Sequence, residues 1–104
     1  MIFLRQYETC FILRSSLSPE ETEKVMEKIQ SLITESGGEI LKRDSWGKRR
    51  LAYTIEKEKE GQYFFLQFKE NPAALMEFKR QLKLMPEVLR FMVLKLEDGG
   101  KSAE

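Results

Sequence analysis

The chain has 104 residues, of which 41% are hydrophobic and 34% are charged, and its formal net charge is +1. At this length one domain with a single core is expected, and no apolar run approaches the roughly 18 residues that a membrane span needs. Histidine is absent and cysteine occurs once, which excludes Cys/His zinc sites and nucleophile systems that depend on histidine.

The first predicted elements are a strand and a helix. Residues 7–13 alternate between two faces, which predicts a strand. Ser18, Pro19 and Glu21 then form a capping box with proline at the first helical position. Apolar residues recur at helical spacing until Gly37-Gly38, so we expect a helix over about 19–36.

The middle of the chain predicts a β-hairpin. Its first strand begins near Glu39 and runs to Ile55, with an irregularity at Gly47, because a glycine inside a strand often marks a bulge or a bend. The polar run 56–61 is expected to form the turn. The bulky residues of 63–68 then predict the second strand.

A second helix and a last strand complete the order. Asn71-Pro72 predicts the helix start and Pro86 its end, and 88–96 predicts a strand. The polar tail 97–104 is expected to be disordered. The order βαββαβ predicts a ferredoxin-like α+β domain over 1–96, in which both helices cover one face of a four-stranded antiparallel sheet.

This topology leaves one sheet face uncovered. The residues predicted to face the helices are Tyr7, Thr9, Phe11, Leu13, Ile40, Leu51, Tyr53, Ile55, Phe64, Leu66, Phe68, Leu89, Phe91 and Val93. Those predicted on the open face are Glu8, Cys10, Ile12, Ala52, Thr54, Tyr63, Phe65, Arg90, Met92 and Leu94. A contiguous apolar patch there is typical of an interaction site. The alternative is that these side chains are covered by the tail or lie scattered.

The charged residues indicate binding and not catalysis. Most carboxylates lie on predicted helix surfaces or in the 56–60 turn, where solvation explains them, and no phosphate-binding motif accompanies them. We therefore expect no enzyme, no metal and no cofactor. Cations instead cluster on strands and strand ends, at Arg5, Lys42, Arg43, Lys48, Arg49, Arg50, Arg90 and Lys95. Cations beside exposed aromatic residues are typical of RNA contact, and a merely soluble hairpin is the alternative.

Six segments in order across nearly the whole chain carry a family resemblance. They are YETCFIL (7–13), LSPEE (17–21), GGEILK (37–42), WGKRRLAYTI (46–55), EGQYFFLQF (60–68) and VLRFMVLK (88–95). With these the chain closely resembles the bacterial small-subunit ribosomal protein six family, and WGKRRLAY is the most specific block. Thr54 stands where family members often have proline.

The resemblance implies a structural protein of the small ribosomal subunit. It implies binding to the central domain of small-subunit ribosomal RNA together with the eighteenth small-subunit protein, with no small-molecule substrate and no membrane. The near-neutral net charge suits a protein that shares its RNA site with a basic companion. Cytoplasmic location on the ribosome is expected, since the single Cys10 and the first residues, MIFLRQYET, give no sign of secretion.

The basic rim beside the open apolar face suggests a division of residues between RNA and protein, and the resemblance sharpens it. We expect RNA contacts from Arg5, Lys48, Arg49, Arg50, Arg90 and Lys95. We expect protein-partner contacts from Ala52, Tyr63, Phe65 and Met92. The alternative is an independent single-strand RNA binder of the RNA recognition motif type, although 61–65 lacks the second glycine of that motif. A ferredoxin-like small-molecule regulator is a third possibility, for which the sequence offers no site.

Overall fold

The six predicted elements follow one another in a computed structural model that describes residues 4–96. They are β1 (Arg5–Arg14), α1 (Pro19–Thr34), β2 (Glu39–Ile55), β3 (Glu58–Glu70), α2 (Pro72–Leu84) and β4 (Val88–Lys95). The four strands form one antiparallel sheet in the order β2-β3-β1-β4. The βαββαβ architecture is therefore confirmed, whereas the tail 97–104, predicted to be disordered, lies outside the described residues.

Both helices begin at the caps that the sequence predicts. The Ser18 hydroxyl accepts a hydrogen bond from the backbone N–H of Glu21 at 3.1 Å, and the Glu21 carboxylate accepts one from the backbone N–H of Ser18 at 2.8 Å. At α2, the Asn71 side chain accepts from the backbone N–H of Ala73 at 2.8 Å. These bonds satisfy donors that the first turn of a helix cannot pair internally.

The core lies between the helices and one face of the sheet. Its central members on the strands are Tyr7, Phe11, Leu13, Phe64, Leu66 and Phe68, and on the helices Val25, Met26, Ile29, Ile33, Leu75, Phe78 and Leu82. Thr9 and Leu89 are also buried, and Ile40, Phe91 and Val93 pack partly buried against the core. The predicted helix-facing residues are thus confirmed for β1 and β3, and on β4 for Phe91 and Val93. Leu89 is the exception, because the register between β1 and β4 shifts there and Val88 takes the core position opposite Leu13.

Between Glu39 and Arg50, strand β2 contains two bulges, of which the sequence predicts one. Between Ile40 and Lys42, two steps along β2 lie opposite a single step along β3, and the same occurs between Ser45 and Gly47. Gly47 has φ +78°, a left-handed conformation that glycine adopts without steric cost. Each extra residue inverts the alternation of side chains between the two faces. After two inversions, the residues beyond Gly47 face the same sides as they would in a strand that continued without bulges from Ile40.

The prediction that Leu51 and Tyr53 face the helices is therefore wrong. Leu51 is buried outside the main core: a Cβ built on Gly61 would lie 2.2 Å from Ile12 Cγ2 and 3.6 Å from Leu51 Cδ2, so both side chains meet on the face away from the helices. Tyr53 is 59% exposed, and the guanidinium of Arg90 lies 5.3 Å from its ring centroid. The physical reason is that the prediction includes only the bulge at Gly47. The other bulge, near residue 41, is not signalled by the sequence, and it reverses the faces once more.

The turn between β2 and β3 is shorter than the predicted 56–61. Only Glu56 and Lys57 lie between the strands, and Ile55 pairs with Glu58. Both turn residues have positive φ, +47° and +70°, as a two-residue hairpin turn of type I′ requires. The hairpin tip is also held from outside the turn, because the Arg14 guanidinium donates to the Glu56 carboxylate.

Candidate docking face and basic strand edge

The open face is the side of the sheet that the two helices do not cover. Its rows follow from strand pairing: Cys10 lies opposite Phe65 on β3 and Met92 on β4, and Ile12 lies opposite Tyr63 and Arg90. Met92 is 60% exposed. The structure therefore brings three of the four predicted protein-partner residues, Tyr63, Phe65 and Met92, onto one surface.

Ala52, the fourth predicted partner residue, lies apart from this row. It is exposed in the 51–54 stretch of β2, where the pairing with β3 is interrupted between Arg50 and Ile55. Because adjacent strand residues alternate, its methyl group lies on the side opposite to Leu51, so the prediction that Ala52 lies on the open face is wrong. Its role as a partner contact stays a prediction.

Trp46 belongs to the open face, although the sequence does not predict it as a partner residue. Its indole ring packs on Phe65 with the ring centroids 4.5 Å apart and the planes tilted by 46°, and the residue is 50% exposed. The bulge between Ser45 and Gly47 places the tryptophan there. The available sequence signal was the Trp-Gly pair itself, since a glycine-associated bulge redirects the neighbouring side chain.

A polar cleft lies beside this aromatic pair. It has a volume of about 170 Å³ and is lined by Glu8, Lys42, Asp44, Trp46, Phe65 and Gln67. The Gln67 amide donates to the Glu8 carboxylate at 3.2 Å, and Lys42 Nζ lies 3.5 Å from an Asp44 carboxylate oxygen. Lys42 and Asp44 reach the open face only because of the first bulge, so regular alternation from Ile40 does not place them there.

An apolar groove continues the open face towards β4. It has a volume of about 100 Å³ and is lined by Cys10, Ile12, Arg90, Phe91 and Met92. Burial raises the pKa of the Cys10 thiol above its ordinary value, and the nearby Glu8 carboxylate raises it further. Both effects disfavour the thiolate.

The six predicted RNA-binding cations occupy two ends of the sheet. Lys48, Arg49 and Arg50 are exposed and consecutive on the edge strand β2. Arg90 lies towards the same end, opposite Ile12, whereas Lys95 lies opposite Tyr7. Five residues along β1 separate those positions, which corresponds to about 17 Å.

Arg5, at the start of β1, lies opposite Glu70 and therefore belongs to the same end as Lys95. The structure consequently groups the cations as Lys48, Arg49, Arg50 and Arg90 at one end, with Arg5 and Lys95 at the other. A single continuous basic rim is not formed by these six side chains.

The three consecutive cations also alternate across the β2 edge. Lys48 lies opposite Gln62, whose amide donates to the Thr22 hydroxyl of α1, so this row is on the helix side. Arg49 lies opposite Gly61 on the other side, with its guanidinium 5.9 Å from the Trp46 ring and its Nε donating to the Trp46 carbonyl at 3.4 Å. The edge thus presents positive charge towards both sides.

A fourth cation of β2 is engaged within the molecule. The Arg43 guanidinium donates twice to the Glu23 carboxylate of α1, at 2.8 and 3.2 Å. These hydrogen bonds lower the pKa of Glu23 and raise that of Arg43. Arg43 therefore links β2 to α1. It is less available than its exposed neighbours to bind another molecule.

Comparison with known proteins decides the family. Residues 6–95 match the family model described as ribosomal protein S6. The chain belongs to this family. The small ribosomal subunit protein bS6 of Moorella thermoacetica is 41% identical over 95 residues, which cover 91% of this chain and 97% of that protein. The corresponding protein of Clostridium novyi is 43% identical over 94 residues, which cover 90% and 99% of the two chains.

Solved structures agree with the S6 assignment. The crystal structure of 30S ribosomal protein S6 from Thermotoga maritima matches with a TM-score of 0.84 and 31% identity, covering 89% of this chain and 88% of that one. An uncharacterised protein from the same organism, at 18% identity and a TM-score of 0.55, shares the fold. The predicted ferredoxin-like fold is confirmed.

Membership of the S6 family establishes the broad function of the chain. The chain is a structural component of the small ribosomal subunit, it is not an enzyme, and its place is in the cytoplasm with the ribosome. Within residues 4–96, no helix has the length and apolar character to cross a membrane, and no three His, Cys, Asp or Glu side chains are grouped as metal ligands would be.

Proposed function

We propose that this S6-family protein binds the central domain of small-subunit ribosomal RNA jointly with the eighteenth small-subunit protein, using two separate surfaces. The open face docks the companion protein, and the edge of β2 contacts the RNA. The observation that carries this proposal is the uncovered aromatic and aliphatic row of the open face beside the exposed cations Lys48, Arg49 and Arg50.

The chemistry of the open face favours a protein over RNA. Phe65 already packs on Trp46, so its ring is partly occupied. The carboxylates of Glu8 and Asp44 lie beside these rings and repel phosphates. An independent single-strand RNA binder needs free aromatic platforms on a basic surface, whereas the Trp46–Phe65 pair of this face lies beside two carboxylates. Its exposed Met92 and half-buried Tyr63 suit an apolar protein contact.

The geometry of β2 favours RNA contact at its edge. Lys48, Arg49 and Arg50 pair through their backbones with Gln62, Gly61 and Glu60 of β3. Because the strand holds their backbones in place, less ordering entropy is lost on binding than for cations on a mobile tail. Arg90 lies at the same end of the sheet. Arg5 and Lys95, at the other end, would contact a different stretch of RNA.

A double substitution with a matched control tests the RNA contact. Arg49→Ala with Arg50→Ala lowers the charge by two, as does Lys24→Ala with Lys28→Ala on the exposed side of α1. We expect the β2 variant to bind a central-domain RNA fragment, in the presence of the companion protein, more weakly. The slope of log Kd against log salt should fall by about one unit for each lost phosphate contact.

The α1 control should retain the wild-type slope. Equal slopes for the two variants would remove Arg49 and Arg50 from the RNA site. Tight binding of the wild-type protein to short single-stranded RNA without the companion would favour the RNA recognition motif alternative.

A further inference from the structure

The polar cleft combines two kinds of wall that seldom have a common ligand. One wall is aromatic, formed by Trp46 and Phe65. The other is acidic, formed by Glu8 and Asp44, and Lys42 is the only cation among its lining residues. The lining therefore carries a net charge of −1. A matching ligand needs a positive charge and a flat surface that can lie against an aromatic ring.

An arginine side chain meets both requirements. Its guanidinium is planar, always charged, stacks on aromatic faces and donates in a fork to carboxylates. A lysine ammonium supplies charge without the planar surface, and a phosphate or nucleotide is repelled by the two carboxylates. We propose that the polar cleft binds an arginine side chain of the companion protein that docks on the open face. This inference rests on the proposed function and specifies one contact between the open face and the companion protein.

The carboxylates are placed to accept such a group. Glu8 is oriented by the Gln67 amide at 3.2 Å, and an ionised carboxylate retains further acceptor positions. Asp44 lies 3.5 Å from Lys42 Nζ, and both side chains are at least half exposed, so this weak pair can rearrange when a better donor arrives. The same chain shows the preferred geometry elsewhere, where the Arg43 guanidinium donates to both oxygens of Glu23.

The position of the cleft points to a protein side chain and not to a free small molecule. A volume of about 170 Å³, open to solvent, accommodates the end of one side chain but buries few atoms of a free ligand. Phe65 borders the cleft on one side and lies opposite Cys10 on the other, where the apolar groove with Met92 begins. A protein segment covering the groove would bring its arginine to the cleft and exclude water from the pair.

Neutralising the two carboxylates tests the inference. The variant Glu8→Gln with Asp44→Asn keeps the shape of the cleft. The matched control removes the same charge from two exposed positions, with Glu27→Gln on α1 and Glu35→Gln at its C-cap. Binding of each to the purified companion protein is measured by calorimetry. We expect the cleft variant to bind about 30-fold more weakly, as for loss of one partner of a desolvated charge pair. The control should change Kd by less than about twofold.

A double-mutant cycle then identifies the ligand. Each arginine of the companion is replaced by lysine in turn, and for the arginine that enters the cleft the two sets of substitutions should be strongly non-additive. Circular dichroism and urea unfolding show whether each variant folds. The sole tryptophan, Trp46, offers a second readout, because its fluorescence should shift in the wild-type complex and shift less in the cleft variant.

The outcomes separate the two proposals. If the wild-type protein does not bind the companion, the proposed function fails and this inference fails with it. If the companion binds the folded cleft variant and the wild-type protein equally well, only the arginine contact is overturned. A cleft variant that alters RNA affinity and leaves companion affinity unchanged would show that the cleft lies against RNA, which also overturns the proposal.

Discussion

At the scale of single residues, Cys10 is a natural reporter of the open face. Its half-buried thiol lies between Phe65 and Met92, and its pKa is raised first by burial and second by the Glu8 carboxylate. A raised pKa means that less thiolate is present at a given pH. Alkylation of the folded protein should therefore be slower at about pH 8 than alkylation of the unfolded chain, because the thiolate is the nucleophile.

The substitution Glu8→Gln separates the two causes. It removes the negative charge but leaves the burial, so the curve of alkylation rate against pH should move to lower pH while staying above that of the unfolded chain. Iodoacetamide kinetics from about pH 6 to about pH 10 measure the shift. Glu27→Gln on α1 is the control and should leave the curve in place. A Glu8→Gln curve displaced to higher pH would contradict the assigned cause.

At the scale of elements, the sequence predicts what depends on local chemistry and misses what depends on pairing between strands. The caps at Ser18 and Asn71 and the alternation of β1 are local, and they are confirmed. The bulge near residue 41 has no glycine or proline to signal it, and its position is defined only by the register against β3. Because this one extra residue was missed, the faces predicted for Leu51 and Tyr53 were the opposite of those observed.

The same limit applies to the candidate site. Tyr63, Phe65 and Met92 were predictable because β1, β3 and β4 alternate regularly in this region. The polar cleft was not predictable, since Asp44 and Lys42 face Phe65 and Gln67 only after the first bulge. The division of the cations between the two ends of the sheet likewise requires the pairing of β1 with β4. The sequence shows that the strands carry positive charge, but it does not show which strand ends lie side by side.

The β2–β3 hairpin provides a prediction about an element. Lys57 occupies the second central position of the turn with φ +70°, a conformation that costs a residue with a Cβ about 1–2 kcal/mol. Lys57→Gly removes this cost but gains entropy in the unfolded chain, so we expect a net stabilisation of about 0.5 kcal/mol. Glu56 is retained because its carboxylate accepts from Arg14.

The matched control is Lys59→Gly, two residues further along the same hairpin. Lys59 lies inside β3, where glycine weakens a strand, so this variant should be less stable than the wild type. Urea unfolding at constant m-value gives both changes. If the two glycine variants shift the midpoint in the same direction, turn strain is not the controlling factor.

At the scale of the whole molecule, stability is concentrated in the middle of the sheet. β1 pairs on both sides, with β3 and β4, and its residues Phe11 and Leu13 are fully buried beneath the helices. The outer strand β2 pairs on one side only, and residues 51–54 lie between the two ends of its interrupted register. The proposed docking surface therefore spans a rigid centre and less protected edges.

Amide hydrogen exchange should reveal this gradient. We expect the slowest exchange in β1 and β3, where opening requires global unfolding, and fast exchange at 52–54, where local opening breaks few contacts. Adding the companion protein should slow exchange in β4, an edge strand that carries Met92 on the open face, and leave α1 unchanged on the opposite side of the sheet. Mass spectrometry of overlapping peptides measures both effects. Protection that appeared on α1 instead of β4 would place the companion against the helices and exclude the open face as its docking surface.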